Sequence, residues 1–117
     1  METGRLANRT ALIDYRKEAG DFDGMTIDAE GMLWIAHWGG FQISRWDPIK
    51  RKKLMKIDLP VPKVSSCCFG GKDMSTLFIT TSGPKDEEEM EKYPLAGALF
   101  TCQTDTVGKP MNRFGTE

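Results

Sequence analysis

Few side chains in this 117-residue sequence combine a type and spacing suited to chemistry, and the carboxylates of Asp21-Phe22-Asp23-Gly24 stand first among them. An aspartate can ligate a hard cation or take a proton from water. Taken alone, Asp-Gly is also a common turn pair whose carboxylate bonds its own backbone. Asp21 reads as the polar end of a loop, and Asp28 and Glu30 as a surface turn. The single histidine, His37, and the adjoining Trp38 follow an apolar run, where a histidine could serve as a base and a tryptophan could stack on a sugar ring. The plainer readings are a histidine satisfying a local hydrogen bond, and Trp34, Trp38 and Trp46 filling space.

Other residues carry less chemistry. Cys67 and Cys68 are adjacent, so no ordinary disulfide joins them, and with Cys102 and His37 they lack the paired spacing of a zinc site. They read as small buried hydrophobes in a reducing compartment. Ser65 and Ser66 have no evident His/Asp partnership for a nucleophile. The acidic run at 86–91 reads as a solvated helix face, because consecutive carboxylates on a helix point in different directions. A net charge of -1 offers no field for nucleic acid or an anionic membrane, which leaves small molecules as the expected partners. No run of about 18 apolar residues and no signal-like start occur, so the cytoplasm is the expected location.

The elements that must position these residues are mostly strands. With 39% hydrophobic and 28% charged residues, the chain fits one soluble unit at most. Runs of about 5–8 β-branched and aromatic residues end in Gly, Pro or Asp signals, which predicts strands at 9–15, 25–28, 32–37, 41–47, 53–59, 65–69, 76–80 and 98–103. Gly31 and Pro48 suit tight antiparallel turns. Residues 33–36 are apolar on both faces, as an inner strand would be, whereas Met55, Ile57 and Leu59 alternate with Lys56 and Asp58. Pro84 and the acidic residues after it predict a short surface helix near 85–92.

The strand pattern repeats. Gly24-Met25-Thr26-Ile27, Leu33-Trp34-Ile35-Ala36 and Gly40-Phe41-Gln42-Ile43 are echoed by Ser66-Cys67-Cys68-Phe69, Leu77-Phe78-Ile79-Thr80 and Gly97-Ala98-Leu99-Phe100. The first two pairs are spaced by about 42–44 residues, the length of one four-stranded propeller blade. Two hairpins of a β-sandwich remain the alternative on periodicity alone.

The stretch from Asp23-Gly24-Met25 through Leu33-Trp34-Ile35-Ala36-His37-Trp38-Gly39-Gly40 resembles the family of regucalcin (senescence marker protein), gluconolactonases and luciferin-regenerating enzyme. Ile57-Asp58-Leu59-Pro60, Ser66-Cys67-Cys68-Phe69-Gly70-Gly71, Leu77-Phe78-Ile79-Thr80 and Pro94-Leu95-Ala96-Gly97 follow that family's C-terminal order, and Glu2-Thr3-Gly4-Arg5 resembles its segment before the Asp-Gly motif. Where the family usually has proline before Asp-Gly, this chain has Phe22.

The resemblance implies an all-β fold, part of a six-bladed propeller: residues 1–117 as its C-terminal part, about two four-stranded blades plus a preceding strand. It implies a sugar-lactone hydrolase with a divalent metal, Ca2+ foremost and Zn2+, Mn2+ or Mg2+ as alternatives. In the family a Glu, two Asn and an Asp hold the metal, and only the Asp has a counterpart, Asp23, which the resemblance also assigns to proton transfer. The second expectation is a truncated, catalytically incomplete fragment that binds or self-associates through exposed blade edges.

Overall fold

Short β-branched and aromatic runs become strands where turn residues close them, and seven do so in the computed structural model, which describes residues 9–110. They are β1 (Asp21–Ile27), β2 (Leu33–Trp38), β3 (Gln42–Asp47), β4 (Lys52–Asp58), β5 (Val64–Gly70), β6 (Thr76–Thr81) and β7 (Phe100–Gln103). Helix α1 (Glu87–Lys92) lies between β6 and β7, with Asp86 capping its start by accepting from the Glu89 amide at 2.9 Å. β1 to β4 form a four-stranded antiparallel meander, and β5 to β7 a three-stranded one. The all-β, blade-like architecture and the short helix are those expected. Among the described residues no helix is long and apolar enough to cross a membrane.

One expected element is corrected: residues 9–15 form no strand. The Asp14 side chain accepts from the Arg16 amide at 3.1 Å and closes a 3-10 turn, Tyr15–Lys17. This local bond offers the backbone an alternative to a ladder. Tyr15 then packs on Phe22, with ring centroids 5.6 Å apart, and the segment covers one face of the first sheet.

The opposite face of that sheet meets the second sheet. Trp34, Ala36 and Ile43 pack with Val64, Cys67, Phe69, Leu77 and Ile79 in one buried cluster. Trp34 and Phe69 meet edge to face at 5.4 Å, a preferred aromatic geometry. Burying each large side chain contributes about 1.5–3 kcal/mol, so this seam is what holds the sheets together. β1 and β2 both lie against β5, which sets the first strands of the two sheets side by side.

The reading of Asp28 as a surface residue is also corrected, because its side chain is fully buried. One carboxylate oxygen accepts from the amides of Glu30 (2.9 Å) and Met32 (3.1 Å), closing the β1–β2 turn. The other accepts from Trp34 Nε1 (2.8 Å) and Arg45 Nε (2.9 Å), tying the turn to β2 and β3. Glu30 alone stays at the surface. Burial by itself would raise the Asp28 carboxyl, but the bonds from Trp34, the Met32 amide and Arg45 outweigh it and hold the group below its usual value. Its contribution is therefore present above the unfolded value near 3.9 and is lost as pH falls below it. Asp28→Asn is expected to lower the unfolding free energy by about 3 kcal/mol at pH 7 in urea titrations, with the gap to the parent narrowing below about pH 4.

Candidate functional site

Asp23 lies within β1 rather than in a turn. Phe22 pairs with His37 and Met25 with Ile35, so Asp23 and Gly24 together oppose the single residue Ala36. This is a β-bulge, which bends the strand and re-aims the extra side chain. β1 is the edge strand of its sheet and Asp23 is exposed on it. Gly24 explains why the edge sits where it does: a Cβ there would lie 2.2 Å from Ser66 Oγ and 2.8 Å from the Ser65 carbonyl oxygen. Only glycine lets β1 approach β5 this closely.

His37 and Trp38 diverge from one another. Trp38 is partly exposed at the end of β2, bridges by backbone to Lys63, and has Lys63 Nζ 5.8 Å from its ring centroid. Since Asp21 pairs with Trp38, the exposed indole and the Asp23 bulge share one end of the sheet. His37 is fully buried behind them. Its Nδ1 lies 2.8 Å from the Ala19 carbonyl and must carry the proton, because a carbonyl only accepts. Nε2, 2.6 Å from Ser44 Oγ, then accepts the serine proton, and Ser44 Oγ accepts from Trp46 Nε1 at 2.6 Å. Nδ1 thus ties the 15–20 segment to the sheet and Nε2 is spent on β3 within it, so His37 satisfies local hydrogen bonds, the plainer of the two sequence readings. Burial pushes the imidazole below its usual value, partly offset by the Ala19 carbonyl.

Two elements of this end were missed in the sequence. Lys63 Nζ pairs with Glu89 Oε1 at 3.2 Å, and Phe41 meets Tyr93 at 5.5 Å, so α1 is tied back onto the loops beside Trp38. Partners separated by dozens of residues leave no local signal. Cys67 is buried and its thiol is pushed up to about 12, chiefly by burial, which makes it inert; Cys68 is exposed, and both are free.

A hard cation takes six to eight oxygen ligands. Among the described residues no group of three or more His, Cys, Asp or Glu side chains comes together as a cage. Asp23 supplies one carboxylate, and these residues do not by themselves fit a complete calcium site.

Two antiparallel meanders packed face to face, each starting on a bulged edge strand and with those strands adjacent, are neighbouring blades of a β-propeller. Residues 1–83 match the SMP-30/Gluconolactonase/LRE-like region family, and the chain belongs to it. It is 42% identical over 101 residues to regucalcin of Gallus gallus, covering 86% of this chain and 34% of that protein. It is 39% identical over 108 residues to a Bacillus subtilis (strain 168) protein provisionally named sugar lactone lactonase YvrE, covering 92% and 37%. A solved calcium-binding protein, regucalcin of Agrobacterium tumefaciens strain C58, superposes with a TM-score of 0.79 at 27% identity, over 86% of this chain and 34% of that one. A solved luciferin-regenerating enzyme gives 0.76 at 28%, over 87% and 35%. The chain thus spans about a third of the length of the curated relatives it matches.

Two outcomes follow from the site's packing. A histidine held neutral contributes stability above its unfolded value and loses it as pH falls. The thermal midpoint is expected to drop as pH is lowered through about 6.5, and His37→Gln, though less stable overall, to lose most of that slope. Gly24→Ala is expected to cost about 2 kcal/mol by forcing β1 off β5. Gly83→Ala, where a Cβ meets nothing within 4 Å, should shift stability by less than about 0.5 kcal/mol in the same denaturation series.

Proposed function

We propose that this chain is the C-terminal, two-blade part of a propeller that hydrolyses sugar lactones, with Asp23 contributing a carboxylate to a divalent metal in the channel. The observation that carries the reading is the exposed Asp23 carboxylate on a bulged edge strand, inside the segment that matches the gluconolactonase family. Ca2+ is the proposed metal, with Zn2+, Mn2+ and Mg2+ as alternatives, since a neighbour in fold is named a calcium-binding protein. A metal bound there would polarise a lactone carbonyl. The part reserved for this chain is narrower: Asp23 would hold the cation through one carboxylate and could accept a proton from water, and Trp38 offers a ring face to the sugar. His37 serves behind them as a fixed support. The net charge of -1 suits a small-molecule substrate better than nucleic acid, and the free cysteines fit a reducing cytoplasm.

A second reading is favoured by what the blades expose. Met25 and Ile27 on β1, Leu54 and Met55 on β4, and Leu99 before β7 are exposed apolar side chains along open strand edges. Such edges favour association with further blades or with a second copy. In that case the chain is a catalytically incomplete module.

Calorimetric titration of the pure chain with Ca2+, paired with a pH-stat assay on D-glucono-δ-lactone, separates the two. Because Asp23 supplies only one ligand, the lactonase reading expects saturable Ca2+ binding and hydrolysis once further copies or blades complete the site, with Asp23→Ala reducing hydrolysis by about a hundredfold or more. No binding and no hydrolysis, together with oligomers in sedimentation velocity, would favour the incomplete module.

A further inference from the structure

The bulge at Asp23 has a counterpart. In the second sheet Val64 pairs with Thr81 and Ser66 with Thr80, so Ser65 is the extra residue on β5. In the first sheet Phe22 pairs with His37 and Met25 with Ile35, and Asp23 is the extra residue on β1. Aligning the sheets by these pairings sets Val64 on Phe22, Ser65 on Asp23, Ser66 on Gly24 and Cys67 on Met25. The two blades therefore carry their irregularity at the same step. The close approach of Gly24 to Ser66 and to the Ser65 carbonyl places the two bulges next to each other across the blade boundary.

At this step the first blade has Asp23 opposite Ala36, and the second has Ser65 opposite Thr80. Ser65 Oγ lies 2.8 Å from Thr80 Oγ1, and the Thr80 hydroxyl donates to the Ser66 carbonyl at 3.4 Å. With its proton so engaged, Thr80 Oγ1 accepts from Ser65. Ser65 Oγ makes no other hydrogen bond among the described residues, which leaves its lone pairs free; Ser65 is partly exposed and Thr80 exposed. Hydroxyl acceptors at the bulge next to the one that carries the Asp23 carboxylate suit a ligand that offers several O–H donors.

We infer that Ser65, held by Thr80, is the second blade's contribution to the site that Asp23 marks, accepting hydrogen bonds from the hydroxyls of a polyol-like ligand. The choice of ligand class rests on the sugar-lactone reading, whereas the placement of the residues does not. Ser65 is not a nucleophile in this role, because no base takes its proton; it fixes the ligand beside Asp23.

The test is a titration of the full 117-residue chain with D-glucitol, followed by amide chemical shifts. Glucitol is neutral, cannot be hydrolysed and needs no metal. Saturable shifts are expected at Asp23, Ser65, Ser66 and Thr80. Ser65→Ala should weaken binding about fivefold to tenfold, the effect of one net hydrogen bond, while Ser65→Thr, which keeps the hydroxyl, stays within about twofold. The melting temperature of Ser65→Ala should match the parent, which separates ligand contact from a structural role. If Ser65→Ala fails to fold, Thr80→Val reads the same loss. No saturable shift at Ser65 and Thr80, or equal affinity in Ser65→Ala, would overturn the inference. Glucitol binding without lactone hydrolysis would instead sink the lactonase reading and leave this one standing.

Discussion

The contact between β1 and β5 at Gly24 and Ser66 is the constraint on which the rest of the molecule depends. Neither meander can bury its apolar face alone, because a sheet of three or four strands needs a second layer. The seam of Trp34, Ala36 and Ile43 against Val64, Cys67, Phe69, Leu77 and Ile79 supplies it. That seam closes only if the first strands of the two sheets come within backbone contact, and the missing side chain at Gly24 makes the room. The same contact sets the bulges that carry Asp23 and Ser65 side by side across the blade boundary, so packing and the candidate site have one geometric origin.

Two aspartates five positions apart show how placement divides stability from chemistry. Asp28 is buried, and its two oxygens are saturated by two amides, an indole and a guanidinium. It has no capacity left for a ligand. Asp23 sits exposed on a bulge with its acceptors available. The histidine follows the Asp28 pattern, since both of its ring nitrogens are committed to Ala19 and Ser44. Groups that could do chemistry by type are thus sorted by how many of their hydrogen bonds the fold consumes.

A propeller spreads its functional groups over the first strands of successive blades, so two blades hold only a share of any axial site. The described residues fit that logic, with one carboxylate and a hydroxyl pair near the blade boundary and no assembled cage. Family membership fixes the fold to which these blades belong, and function has to be argued from the residues present.

The sequence by itself determined most of the strands and their turns and the helix, because these follow from local causes. β-branched runs ended by Gly31 or Pro48, and an Asp86 cap before three glutamates, act within a few residues of one another. The ordered segments around Asp23-Gly24 also made the family legible. What only tertiary structure decided was burial. Asp28 became an interior charge because Arg45 and Trp34 reach it across two strands, and His37 became a support because Ala19 returns to it from 18 residues away. The failed strand over 9–15 has a local cause in the Asp14 turn, yet its docking on Phe22 does not. The bulges that carry Asp23 and Ser65 became neighbours for the same reason: hydrogen-bond partners, and the close approach at Gly24, are fixed between distant segments, and no short window of sequence records them.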